Sequence, residues 1–382
     1  GQNAEALLGY ERACRLDDWM SGELDPDSPT EELFIGWEEP SQATPMSWPE
    51  RVRLRVELGD VLRRMGDLDG AERRYSEARR RIQRNTEDSS DPLDVARWKS
   101  RIDFRLSISA DVRGDVSGGR HLVERAIHRA QLCAMGAELA QMMAHLAALH
   151  LRELDTQACR DASLKGLRVL RTAAKRSARW RDAATWLLRT LGGAFYTRGE
   201  MVRAERCYLQ ASRLFDAQEN PYEVSRALNN VAAARFALAN LEGARDSFRA
   251  SLELADRSGD LWMTMTALGN LGEVEHAIGR HELARDLLQE AVELGERIGA
   301  RGDLADCYRN LGDASAALDR HAEAVTALLR ALELARTGGG RVYLPSVITT
   351  AEHVCQRANA AGADVGRLEQ ALAEVRATQE LA

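Results

Sequence analysis

Across 382 residues only 5% are aromatic and eight are proline, while alanine, leucine, arginine and glutamate dominate. That mixture favours helix nearly everywhere and excludes a large β-sandwich or barrel. The net charge of −7 gives no general attraction to nucleic acid or an anionic membrane, and every apolar run falls far short of the ~18 residues a bilayer span requires.

Residues 1–16 carry Ala6-x-x-x-Tyr10-x-x-Ala13, a spacing that returns at Ala71, Tyr75 and Ala78 and again at Ala204, Tyr208 and Ala211. It predicts a helix equivalent to the second helix of a repeat whose first helix is missing. On that reading the chain is a piece of a longer polypeptide, and an upstream effector domain is one of its partners.

Residues 17–48 are unlike anything that follows. From Asp17 to Glu50 there are ten acids, no Lys or Arg, and five of the eight prolines. Such a composition reads as a linker. Its centre nevertheless holds Leu33, Phe34, Ile35 and Trp37, and an apolar cluster inside an acidic stretch is expected to be a docking motif, for this chain or for a partner.

Residues 49–340 repeat. Thr190-Leu191-Gly192, Asn230-Val231-Ala232, Asn270-Leu271-Gly272 and Asn310-Leu311-Gly312 follow one another at intervals of forty residues. Ala204, Ala244, Ala284 and Ala324 keep that interval, as do Ala211, Ser251, Ala291 and Ala331. With slips, the register runs back through Leu146-Ala147, Leu106-Ser107 and Leu58-Gly59, giving about seven units. Small residues at these points predict antiparallel helix pairs that cross closely. Each pair has an apolar face it can bury only by stacking on the next. Residues 341–382 read as a further pair with the register lost, a cap whose charged outer face stops the stacking.

The N-L-G triplets and the later A…A spacing closely resemble the tetratricopeptide repeat family, best over Arg226–Gly259, Thr266–Gly299 and Asp306–Gly339. The resemblance implies an all-α fold, a right-handed α-solenoid of antiparallel helix pairs, with a protein- or peptide-binding groove lined by the first helices. The family's groove positions, carried over residue by residue, fall on Trp186, Arg189, Tyr196, Arg226, Asn229, Phe236, Glu273, His276, Arg309 and Asp313. Aromatic side chains beside arginine and asparagine would suit an acidic peptide with apolar anchors. Beyond them, Glu273 and Asp313 turn the groove acidic. The family's carboxylate clamps often carry Asn where this chain has Gly193, Ala233, Glu273 and Asp313, so a clamp of the chaperone-tail type is not expected.

Nothing in the pattern asks for chemistry. There is no phosphate-cradling glycine loop and no H-E-x-x-H, so no catalytic site, cofactor or metal is expected. Six cysteines, Cys14, Cys133, Cys159, Cys207, Cys307 and Cys355, lie far apart and read as reduced, buried thiols of a cytoplasmic protein. Basic residues between Arg160 and Arg181 read as a solvated helix face, with no nucleic acid as partner. The expected function is a non-catalytic scaffold, the sensor or docking arm of a larger bacterial signalling protein. The alternative is a small-peptide receptor of quorum-regulator type whose superhelix changes pitch on binding.

Overall fold

The computed structural model describes residues 9–11, 13–14, 47–85, 91–172, 177–336 and 338–380. The Leu33, Phe34, Ile35 and Trp37 motif lies outside the described residues. Among the described residues there is no strand, and no helix is long and apolar enough to cross a membrane.

The chain divides into two units, Gly1–Ala194 and Phe195–Ala382. The first contains α1 (Trp48–Arg64), α2 (Leu68–Asn85), α3 (Pro92–Val112), α4 (Val116–Leu132), α5 (Gly136–Arg152), α6 (Thr156–Thr172) and most of α7 (Ala178–Thr197). The second takes the end of α7, then α8 (Met201–Ser212), α9 (Pro221–Ala237), α10 (Leu241–Ser258), α11 (Leu261–Ala277), α12 (His281–Ile298), α13 (Arg301–Ala317) and α14 (His321–Ala335). A 3-10 turn, Gly338–Tyr343, leads to α15 (Leu344–Ala360) and α16 (Gly366–Glu380). Odd-numbered helices open the antiparallel pairs and even-numbered helices close them. The fold is all-α, a TPR-like α-solenoid architecture.

Local chemistry sets the helix ends. Ser47 and Glu50 form a capping box at α1, with the Ser47 N–H donating to Glu50 Oε2 at 2.8 Å. The side chains of Asp91, Asn220, Asn240 and Asp260 accept from backbone N–H groups in the first turns of α3, α9, α10 and α11. At the far end of α10 and α12, Gly259 and Gly299 sit in the left-handed region at φ 70°, where a side chain would be strained.

Close helix crossings explain the small residues of the repeat. A Cβ on Gly272 would stand 2.6 Å from Leu288 Cγ and 3.2 Å from the Ala284 carbonyl oxygen. A Cβ on Gly312 would meet Leu328 and Ala324 in the same way, one repeat later. In the second unit a single apolar core then runs from Met265 through Leu288, Leu311, Leu328 and Val347 to Leu368. In the first unit Val52, Leu58, Tyr75, Ile82 and Ile102 form a core that also takes in Cys14 and the flank of Tyr10.

Two buried carboxylates tie neighbouring helices together. Asp103 on α3 accepts from Arg125 at 2.7 Å and from Arg129, both on α4. Glu275 on α11 is fully buried and holds Arg249 of α10 at 2.9 Å and Arg280 at 3.3 Å. Removing either set of arginines would strand a buried charge, which is strongly destabilising. All six cysteines are buried free thiols. Burial raises the Cys159 and Cys207 thiols to about 11, which leaves them poor nucleophiles.

Candidate functional site

Among α9, α11 and α13 each first helix touches the next directly, so a side chain on one meets its counterpart some forty residues later. In the second unit this brings most of the expected groove residues together. Asn270 on α11 donates from Nδ2 to Asn229 Oδ1 on α9 at 3.0 Å. One turn further along α11, Glu273 accepts from Arg309 Nη2 on α13 at 3.3 Å, and Arg309 Nε also donates to Asp306 at 2.8 Å. One turn beyond that, His276 Nε2 lies 3.6 Å from Asp313 Oδ2. Asn229, Asn270, Glu273, His276, Arg309 and Asp313 are each half-buried. They form a polar row that water and a ligand can both reach.

Charge within the row is not balanced. Burial raises the Glu273 carboxyl above its ordinary range, Arg309 pulls it down, and Asp306 and Asp313 push it up again. Burial lowers His276, with Asp313 opposing and His281 reinforcing the shift. The His276 and His281 Nδ1 atoms are 3.1 Å apart, a distance at which one ring donates to the other. Tyr196, more exposed than these, has its phenol raised by burial and by the field of Glu273. Beyond Asn229 the row thus sets three carboxylates, Glu273, Asp306 and Asp313, around one guanidinium, that of Arg309.

Two of the expected residues are occupied elsewhere. Phe236, half-buried like the row, packs its ring against the apolar cluster of Ala232, Ala244, Phe248 and Leu271. Arg226 stacks its guanidinium 5.1 Å from the Tyr222 ring and faces Glu223 at 3.7 Å.

Trp186 and Arg189 lie on the part of α7 that belongs to the first unit, and both are half-buried. Trp186 closes an aromatic row, its ring centroid 5.8 Å from His145, which in turn lies edge-on 5.8 Å from Phe104. The row takes one residue from each of α3, α5 and α7. His145 Nε2 is 3.0 Å from Ser107 Oγ, and burial holds the imidazole below its ordinary pKa, hence neutral at physiological pH.

The first unit holds a second lined groove, outside the residues that the repeat register singles out. In the first unit a cavity of about 660 Å³ opens over α1, α3, α5 and the start of α7, lined among others by Asp60, Trp98, Arg101, Arg105, Glu138 and Arg179. Arg101 holds Glu138 with two hydrogen bonds, at 3.0 and 2.9 Å, and lies 4.9 Å over the Trp98 ring. Arg179 reaches the same Glu138 at 3.0 Å, and Arg105 grips Asp60 at 2.9 Å. Family position 2, which picked out Trp186 and Arg226, falls on Arg53, Arg101 and Gln141 once the register is carried back from Leu58, Leu106 and Leu146. Those three also line the cavity. The sequence signal for this groove is therefore the same first-helix position, displaced by the register slips.

Among the described residues, no three His, Cys, Asp or Glu side chains group as metal ligands. The face offers carboxylate, amide, guanidinium and aromatic groups, which suit binding by hydrogen bonds and charge.

Residues 263–337 match the tetratricopeptide repeat family model. No curated protein is similar to the chain in sequence. Several solved structures share its fold. The signal transduction ATPase with numerous domains from Pyrococcus horikoshii, which has a tetratricopeptide repeat sensor, is 12% identical with a TM-score of 0.61, over 92% of this chain and 55% of that one. The apo quorum sensor NprR of B. thuringiensis is 13% identical with a TM-score of 0.61, over 87% of each chain. Aspartyl phosphate phosphatase F of Bacillus subtilis is 11% identical with a TM-score of 0.59, over 99% of this chain and 94% of that one. At such identities the likeness establishes the fold alone.

Proposed function

We propose that this chain, a TPR-like α-solenoid, is an interaction scaffold that works without catalysis by binding a peptide segment across the first-helix face of its second unit. The observation that carries this reading is the row Asn229–Asn270, Glu273–Arg309 and His276–Asp313, which spans α9, α11 and α13. A side-chain amide presents one acceptor and two donors, the complement of a peptide group. Two such amides on adjacent helices can exchange their mutual bond for bonds to a main chain, and the charged pairs beside them select its side chains. Tyr196 supplies rigid apolar area at the edge of the row.

The wider role is that of a sensor or docking arm within a larger cytoplasmic signalling protein of bacterial type. Fold similarity to a signalling ATPase described as having a tetratricopeptide repeat sensor supports it. Similarity to a quorum sensor supports the second reading, a receptor for a small signalling peptide. The two differ in the reading frame that encodes the chain. A kinase, ATPase or protease domain in the same frame favours the arm, and a DNA-binding helix-turn-helix favours the receptor.

Peptide binding itself is tested by selecting a displayed random-peptide library on the full chain and rescreening on Asn229→Ala with Asn270→Ala. Enriched peptides should bind the wild type and lose at least about tenfold in affinity on the double variant, the equivalent of ~1.4 kcal/mol. If no peptide is enriched, or the enriched ones bind both proteins equally, this face is not the binding site.

A further inference from the structure

The face opposite the groove is strongly asymmetric in charge. The second helices of the first unit, α2, α4 and α6, carry thirteen Arg and Lys against five Asp and Glu. Their counterparts in the second unit, α8, α10, α12, α14 and α16, carry ten against fifteen. Within a chain of net charge −7, the second helices of the first unit are thus an excess-positive face.

The register organises that charge. Ala71, Gly119 and Cys159 are equivalent buried positions on α2, α4 and α6. Counting nine residues on from each gives Arg80, His128 and Arg168, all exposed. Arg73 and Arg79 on α2, and Lys165 and Arg171 on α6, are exposed as well. Spacings of three residues hold Lys165, Arg168 and Arg171 on one side of α6. The result is a row across the first unit whose charge sits at its two ends, on α2 and α6, with a histidine, His128, between them on α4.

We infer that this row is a docking surface for the chain's own acidic stretch, Asp17 to Glu39. Charge complementarity is the first argument, because nine of the ten acids between Asp17 and Glu50 fall in that stretch and no base accompanies them. Connection is the second. The stretch leads into Ser47, the cap of α1, and α1 pairs with α2, the first helix of the row. Cys14, three residues before the stretch, is buried among residues of α1, α2 and α3, so the stretch is anchored at both ends. Its middle, about fifteen residues from either anchor at up to ~3.3 Å each, can reach across three helices of ~10 Å diameter. Tethering is the third, since a segment on the same chain has an effective concentration on the order of millimolar. A contact too weak for a free partner is therefore populated within the chain. Nucleic acid and a separate acidic protein compete for the same row, but the −7 charge repels the first and the tether disfavours the second.

The lysines make the test clean, because Lys99, Lys165 and Lys175 are the only ones and Lys165 sits in the row. Carbodiimide coupling of the full chain, which joins a carboxylate to a lysine amine with loss of water, should link Asp17–Glu39 to Lys165 within one molecule. The link should form at about 0.05 M salt and be lost at about 0.5 M, as screening predicts. It should also be lost in Arg80→Glu with Arg168→Glu, two exposed sites whose reversal leaves the helical signal intact. The inference is overturned if no such link forms, if it survives the charge reversal, or if it appears only in covalent dimers. It is equally overturned if a duplex DNA of arbitrary sequence binds the row while the carboxylate link never forms.

Discussion

Leu288 Cγ lies 2.6 Å from the point where a Cβ on Gly272 would stand, so α11 and α12 cross on that glycine with no space for a side chain. Gly272→Leu should therefore overpack the crossing and cost about 1–3 kcal/mol in thermal or denaturant unfolding. Gly136→Ala is the matched control, because nothing lies within 4 Å of its Cβ position. Equal melting curves for the two variants would show that the crossing is not where the repeat register puts it.

A second prediction concerns the turns inside the pairs. Gly66, Gly114, Gly199 and Gly279 take positive φ there, but the equivalent turns of three repeats use Leu154, Ala239 and Asp319 at φ 60°, 57° and 58°. A non-glycine residue in the left-handed region costs roughly 1–2 kcal/mol. Leu154 is 74% exposed and loses little packing if its side chain is removed. Leu154→Gly should stabilise the chain by about 0.5–1 kcal/mol, after allowing for the extra freedom glycine has in the unfolded state. A lowered melting temperature would mean that the Leu154 side chain has a contact worth more than the strain.

The third prediction follows from Glu273. Its carboxyl is raised in the folded chain, chiefly by burial, so the folded state holds that proton more tightly than the unfolded state does. The associated stability is complete below the ordinary glutamate pKa and is lost as pH rises through the raised value. At neutral pH an ionised Glu273 is thus a cost. Glu273→Gln should raise the melting temperature at pH 7, and the gain should vanish below about pH 4. Arg309 keeps Asp306 as a partner at 2.8 Å. If the variant melts lower at pH 7, the Arg309 pairing outweighs the burial of the carboxylate.

Much of the architecture is legible in the sequence because it depends on periodic steric demands. Gly272 and Gly312, forty residues apart, are small for one reason repeated, the approach of Leu288 and Leu328. The same interval carries Ala284 to Ala324 and Ala291 to Ala331, which are all fully buried. A backbone crossing recurs at fixed register, so the letters that permit it recur too.

What each groove side chain does was decided only in three dimensions. Family positions place Phe236 and Arg309 alike on the first-helix face, yet Phe236 packs against an apolar cluster while Arg309 bridges Asp306 and Glu273. The aromatic row Phe104, His145 and Trp186 and the Arg101–Glu138–Arg179 cluster join residues about forty apart or more. Neither has a local signature. Which neighbour a long side chain meets depends on the rotation and separation of successive helices, and several residues together set both. A repeat pattern in the sequence therefore determines where helices pack, while tertiary structure alone decides which charges and rings they bring within reach.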